Sequence, residues 1–193
     1  MKTCVLLGNT RVKINTESLT KIFADKLTAL KAEVVWISLR DKHVGPCIGC
    51  DKCHKVTDSY GCAINDDMRE IAREILSSDL IVLSSPIYTW MPTPPLKAAT
   101  DRLYAFTKHP ENGETFNLLQ GKKLAMIATS GDECETNCDL FNEAVRRIAD
   151  FAHIPYLGYL AARDLGDGNI ARPEVVAEAR AFAKKCVDTF SNI

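Results

Sequence analysis

Apolar positions in this chain fall alternately into short continuous runs and into stripes of helical spacing. Cys4 to Leu7 is an apolar run of strand character, and Leu19, Ile22, Phe23, Leu27 and Leu30 follow it at helical spacing. Glu33 to Leu39 predicts a second strand, half buried, with Val34, Trp36 and Ser38 on one face and Val35, Ile37 and Leu39 on the other. A helix starts at Asp66 or Asp67 and carries Met68, Ile71, Ala72, Ile75 and Leu76 on one side. Leu80 to Leu83 is apolar at every position, as expected of a strand covered on both faces. Thr93 as N-cap and Pro94 as first helical residue open a helix through Leu96, Ala99 and Leu103. Lys122 to Thr129 gives a strand and Leu140, Phe141, Ala144, Val145 and Ile148 a helix. Ile154 to Leu160 is a fifth strand, and after a Gly- and Asp-rich loop Pro173 to Phe190 is a closing helix. Three stretches escape these patterns. Asp41 to Asn65 is long and irregular and holds four cysteines, Ser84 to Pro95 carries four prolines that argue against regular structure, and 107–120 reads as an exposed excursion.

Five alternations of strand and helix imply an α/β fold, an open five-stranded parallel sheet of order 2-1-3-4-5 with helices on both faces. Such a sheet binds ligands beyond the carboxyl ends of its strands, between the first and third strands where the order reverses. Their exit loops are 8–16 and 84–95, and the fourth strand's exit, Thr129 to Glu133, lies beside them. The first loop joins a strand to a helix start, whose unpaired N–H groups and positive dipole end suit an anion. Gly8 permits close backbone approach, Arg11 supplies charge, and Asn9, Thr10, Asn15 and Thr16 supply short polar side chains. The alternative is an ordinary loop with Asn15 as N-cap. Neither a nucleotide P-loop nor a dinucleotide glycine fingerprint is present, which leaves a monophosphate on a small cofactor. A phosphatase loop is excluded because Cys4 lies inside the strand.

At 193 residues, with 46% hydrophobic residues, the chain is expected to form one domain, 1–193, with a Cys-rich insertion loop at about 41–65. The net charge of −1, from 24 basic and 25 acidic residues, argues against nucleic acid or anionic membrane as partner. Met1-Lys2-Thr3 runs straight into the first strand and no apolar run is long enough to span a membrane, so a cytoplasmic protein with reduced cysteines is expected.

Gly8-Asn9-Thr10-Arg11 with Asn15-Thr16, then Ser84-Ser85-Pro86-Ile87-Tyr88 with Leu96-Lys97 and Asp101-Arg102, occur in an order that resembles the flavodoxin-like NAD(P)H-dependent FMN reductase and iron-sulfur flavoprotein superfamily. Cys47-Ile48-Gly49-Cys50-Asp51-Lys52-Cys53, Gly61-Cys62 and Asp66-Asp67-Met68 resemble a further block of many members. The resemblance implies a flavodoxin-like sheet and FMN as cofactor. Asn9, Thr10, Arg11, Asn15 and Thr16 would bind its phosphate, Pro86, Ile87, Tyr88, Thr89 and Trp90 would wall its ring, and Ser130, Gly131 and Asp132 would close the other side. It also implies hydride from NAD(P)H and a small electron acceptor: a quinone, a flavin, a nitro or azo compound, or a metal ion. Chemistry would reside on the flavin, without a catalytic residue of the chain, in a homodimer or homotetramer with contacts at 41–65 and 107–120. The alternative is an electron-transfer iron-sulfur flavoprotein with a protein partner.

Cys47, Cys50, Cys53 and Cys62 suit a [4Fe-4S] cluster, a structural zinc, with His54 as a substitute ligand, or thiols without metal. The spacing to Cys62 is longer than the compact motif of the family's iron-sulfur members, and a similar four-Cys pattern occurs in members that resemble plain FMN reductases, so the resemblance favours thiols without metal. Cys134 and Cys138, spaced i, i+4 near a helix start, could pair or act as reactive thiols but read rather as packing residues, with Cys134 in a polar loop the one to test, and Cys4 and Cys186 read as core. His43, His54, His109 and His153 share no metal-like spacing and are expected at surface or loop positions.

Overall fold

The structure, a computed structural model, describes residues 1–12, 14–166 and 170–190; Lys13 of the first loop and part of the Gly- and Asp-rich loop lie outside them. Five parallel strands build the sheet: β1 (Lys2–Leu7), β2 (Glu33–Ser38), β3 (Leu80–Tyr88), β7 (Lys123–Ser130) and β8 (Tyr156–Arg163). They stand in the order β2-β1-β3-β7-β8, the arrangement expected from the alternation. Three two-residue strands complete the set: β4 (Met91–Pro92), antiparallel to the end of β3, and the pair β5 (Thr107–Lys108) and β6 (Phe116–Asn117).

The continuous apolar runs of the central strands are explained by burial on both faces. On one face Val5, Val82, Ala125 and Ile127 pack under α1 (Asn15–Ala29) and α6 (Pro173–Asp188), with the Phe23 and Phe182 rings 5.6 Å apart. On the other, Cys4, Leu6, Ile81, Leu83 and Met126 pack under α2 (Met68–Ser77), α3 (Pro94–Asp101) and α5 (Asp139–Ala152). A single turn, α4 (Cys134–Asn137), precedes α5. Cys4 and Cys186 are core residues. Among the described residues no helix is long and apolar enough to cross a membrane.

Four expectations need correction. Residues 84–88 are not irregular: β3 runs on to Tyr88 because β7 pairs with it as far as Pro86 and β4 then folds back on Ile87 and Tyr88. The stretch 107–120 is an exposed excursion only at its tip, 109–115, and at Gln120, since Thr107, Lys108, Asn117 and Leu119 are buried in and beside the β5–β6 hairpin. Leu39 leaves β2 for a short 3-10 turn, Leu39–Asp41. His54 is buried rather than at the surface, its Nδ1 2.6 Å from the Thr107 carbonyl and its ring edge-on to Tyr104.

The cysteine-rich segment is held down by two buried cations. Arg102 and Asp66 form a two-pronged pair with side chains 1% and 2% exposed. The Asp66 carboxylate also accepts from the amides of Gly45 and Met68, and Arg102 also donates to the Gly45 carbonyl. Lys108 is fully buried and donates to the carbonyls of Cys53, Tyr60 and Ala105 at 2.7–3.1 Å. The sequence pattern could not show this, because the partners are mostly backbone oxygens.

Burial by itself would raise the Asp66 carboxyl, but the Arg102 guanidinium and the two amides hold it below the usual carboxylate range. A depressed folded value means that its stabilisation is complete above the unfolded carboxylate pKa and is lost as pH falls through the folded value. Arg102→Met leaves a buried carboxylate uncompensated and is expected to cost about 3–5 kcal/mol in urea unfolding. In Asp66→Asn the loss of stability below about pH 4 should be shallower than in the parent protein.

Candidate functional site

The site begins where β1 ends. The Gly8 amide donates to the Ser84 carbonyl at 2.7 Å, and the Gly8 carbonyl accepts from the Thr93 hydroxyl. A Cβ on Gly8 would stand 2.6 Å from Leu96 Cβ and 2.9 Å from Thr93 Oγ1. The close approach that glycine permits is therefore to β3 and the start of α3. Thr93 caps α3 as expected, with its hydroxyl turned to β1 and its amide on Ser85 Oγ.

Beyond Gly8, Asn9 is buried, and its Nδ2 braces the loop by donating to the Arg11 carbonyl at 2.6 Å and to Glu17 Oε2 at 3.2 Å. Its Oδ1 is buried without a partner among the described residues. Arg40 also donates to the Arg11 carbonyl and lies 3.7 Å from Glu17, so the Glu17 charge is matched inside the protein while the Arg11 side chain stands exposed. Helix α1 starts at Asn15, which is its first residue and not its cap. Ile14 occupies the cap position and supplies no side-chain bond. The amides of Asn15, Thr16 and Glu17 have no intrahelical acceptor and face the loop. Their positive end, Thr10, Arg11 and the unpartnered Asn9 Oδ1 fit an anion attached to a hydroxylated arm.

The second wall is a tight turn. Thr89 and Trp90 have φ of 49° and 62° between the paired residues Tyr88 and Met91. Left-handed backbone at both centres of a two-residue hairpin normally goes to Asn-Gly. A β-branched and an aromatic residue there are strained, by about 1–2 kcal/mol each. The strain projects Tyr88 and Trp90 into solvent, 42% and 50% exposed. The Tyr88 hydroxyl shares a 3.1 Å hydrogen bond with Thr10 Oγ1, joining the two loops.

The third loop also arrives. Thr16 and Thr129 share a buried hydroxyl contact, Thr20 bonds Ser84 Oγ at 2.7 Å, and Ser130 Oγ turns the chain by bonding Asp132. Asp164, just past β8, ties this side together: its amide donates to the Ser130 carbonyl at 2.7 Å and its carboxylate accepts from Asn15 Nδ2 at 2.8 Å. Arg163 pairs with Glu133 and Asp132. Pro86 and Ile87 are half-buried, while Gly131 and Asp132 are exposed. The structure thus brings together the three loops that carry the sequence candidates. Sequence reasoning missed Arg40 and Asp164, which position those candidates from elsewhere in the chain; only Asp164 had a signal, in its Gly- and Asp-rich loop. Of the four cysteines at 47, 50, 53 and 62, Cys47 and Cys50 are exposed and Cys53 and Cys62 half-buried; burial pushes the Cys53 thiol up, and Cys62 and Cys50 add to the rise. Among the described residues no three His, Cys, Asp or Glu side chains stand close enough to hold a metal.

Sheet order defines a flavodoxin-like α/β protein whose candidate residues gather on the loops at the β1/β3 reversal. Residues 1–150 match the family of NADPH-dependent FMN reductases, and the chain belongs to that family. An iron-sulfur flavoprotein of Methanocaldococcus jannaschii is 34% identical over 102 residues, 53% of this chain and 51% of that protein. The chain spans about half the length of the curated relatives it matches. Two solved structures share the fold. An NAD(P)H:quinone oxidoreductase from Methanothermobacter marburgensis superposes with TM-score 0.74 at 13% identity over 95% of this chain and 98% of that one. An FMN-dependent NADH-azoreductase from Bacillus anthracis, solved with FMN, gives 0.66 at 18% identity over 98% of each chain.

Gly8→Ala should force α3 away from β1 and lower stability by about 1–3 kcal/mol in thermal unfolding. Thr89→Gly relieves the strained turn and should raise stability by about 1 kcal/mol.

Proposed function

We propose that this chain is an FMN-dependent oxidoreductase that takes hydride from NADH or NADPH and passes the electrons to a small acceptor of the quinone, flavin, nitro, azo or oxidised-metal class. The observation that carries this reading is the Thr10–Tyr88 bond, which sets an uncapped helix start and a strained aromatic turn on either side of one cleft. In this reading the amides at the start of α1, with Thr10, Arg11, Asn15 and Thr16, hold the phosphate, and Asn9 Oδ1 accepts from a hydroxyl of the cofactor's arm. Pro86 to Trp90 flank the ring on one side and Ser130 to Asp132 on the other. FMN, when bound, supplies the hydride chemistry. The chain's residues bind and orient it and leave one face of the cleft open to a second substrate. The whole chain would act as one domain with its cysteine-rich insertion, as a cytoplasmic homodimer or homotetramer.

The curated relatives' name supports a second reading, an iron-sulfur electron carrier with a protein partner. The balanced charge supports an enzyme over an acidic carrier.

The purified protein should bind FMN and oxidise NADH or NADPH in the presence of a benzoquinone. Arg11→Ala should weaken FMN binding about tenfold, the loss of one charge-assisted bond, with thermal stability of the flavin-free protein unchanged. Protein that stays colourless when offered FMN overturns the proposal. A broad shoulder near about 400 nm after anaerobic purification would establish the iron-sulfur reading instead.

A further inference from the structure

Cys134 opens the single turn α4, and Cys138 lies at its junction with α5, with φ −98° and ψ −7°. The Cys138 amide donates to the Cys134 carbonyl at 2.9 Å. One closed helical turn puts the two Cα atoms about 6 Å apart, within the span that a disulfide bridges. The closed turn sets the two side chains one above the other on the same face, where hydrogen bonding between the thiols shifts them in opposite directions.

The two thiols differ in access. Cys138 is fully buried, packed in the same core as Phe141 and Val145. Cys134 is half-buried and lines an open surface groove of about 610 Å³ with Tyr159, Glu178, Phe182 and Lys185. The bond from Cys138 draws the Cys134 thiol below its ordinary value, against burial and the carboxylates of Glu135 and Glu133, with help from Arg163. The same bond and burial push Cys138 up, with Asp139 and Glu135 adding to the rise. One thiol is therefore reachable and inclined to ionise, and the other is shielded and holds its proton next to it. A half-buried sulfur admits a small oxidant more readily than the in-line approach of a bulky disulfide.

We propose that Cys134 and Cys138 form a hydroperoxide-reactive thiol pair, in which Cys134 takes the oxidation and Cys138 closes a disulfide onto it. The Cys134 thiolate attacks the distal peroxide oxygen, the O–O bond breaks, and a proton converts the leaving oxygen to water or an alcohol, leaving a sulfenic acid on Cys134. The Cys138 sulfur then attacks Cys134 Sγ, the S–O bond breaks, and the hydroxyl leaves as water with the Cys138 proton. Two thiols and one hydroperoxide become one disulfide, one alcohol or water, and one further water. The pair needs no flavin and stands independently of the proposed reductase activity.

Tryptic peptide Leu124–Arg146 contains both cysteines and none of the other six. The full chain is exposed to one equivalent of hydrogen peroxide, quenched by alkylation and mapped by mass. This peptide should become lighter by two hydrogens and lose both alkylation sites at least about tenfold faster than Cys47 or Cys50 is oxidised, and dithiothreitol should reverse the change. In Cys138→Ala, a dione that traps sulfenic acids should label Cys134. The proposal is overturned if the peptide stays reduced while Cys47 or Cys50 is oxidised, or if Cys134 goes to sulfinic acid without closing the bond. Because the mapping of the unaltered chain decides between these outcomes, a poorly folding Cys138→Ala variant does not spare the proposal.

Discussion

The hydrogen bond from the Gly8 amide to the Ser84 carbonyl, 2.7 Å long, joins the exits of the two central strands and sets the distance between the walls of the cleft. Thr93 reinforces it from α3, and the missing Cβ at Gly8 is what lets Leu96 and Thr93 come so near. Everything placed beyond this joint inherits its position: the uncapped start of α1 on one side, and on the other β3 as it runs past β1 to the turn at Thr89 and Trp90. The same geometry explains why donors inside the first loop turn inward. Asn9 and Arg40 brace the Arg11 carbonyl, so the groups left facing the cleft are helix amides, an exposed guanidinium and one unpartnered oxygen.

A second constraint fixes the cysteine-rich segment. Its irregular backbone cannot satisfy its own carbonyls, and the fold answers with a buried ammonium from Lys108 and a buried guanidinium from Arg102. Arg102 brings with it the carboxylate of Asp66, which in turn collects the amides of Gly45 and Met68 at the head of α2. A long loop held this way keeps a defined shape through protein groups alone, and His54 is buried as part of the same arrangement.

Much of this was legible in the chain. Continuous apolar runs such as Leu80 to Leu83 reported burial on two faces, and alternation of strand and helix gave the sheet order and hence which loops meet at the β1/β3 reversal. Proline content misled at 84–95, because Pro86 lacks only an amide while its neighbours still pair with β7 and β4. Polarity misled at 107–120, where Lys108 and Asn117 are buried by bonds to backbone and to Thr107 that no periodicity records. The supporting residues Arg40 and Asp164 were invisible for the same reason: each acts on a partner far off in sequence, through a bond that only the folded chain creates.

The central claim is that the loop after β1 grips the phosphoryl end of a flavin nucleotide. The most direct measurement compares FMN with riboflavin, which differs only by that group, in a titration followed by quenching of flavin fluorescence. FMN should bind at least about a hundredfold more tightly, the worth of two charge-assisted hydrogen bonds. Equal affinity for the two flavins, or affinity for neither, would contradict the account.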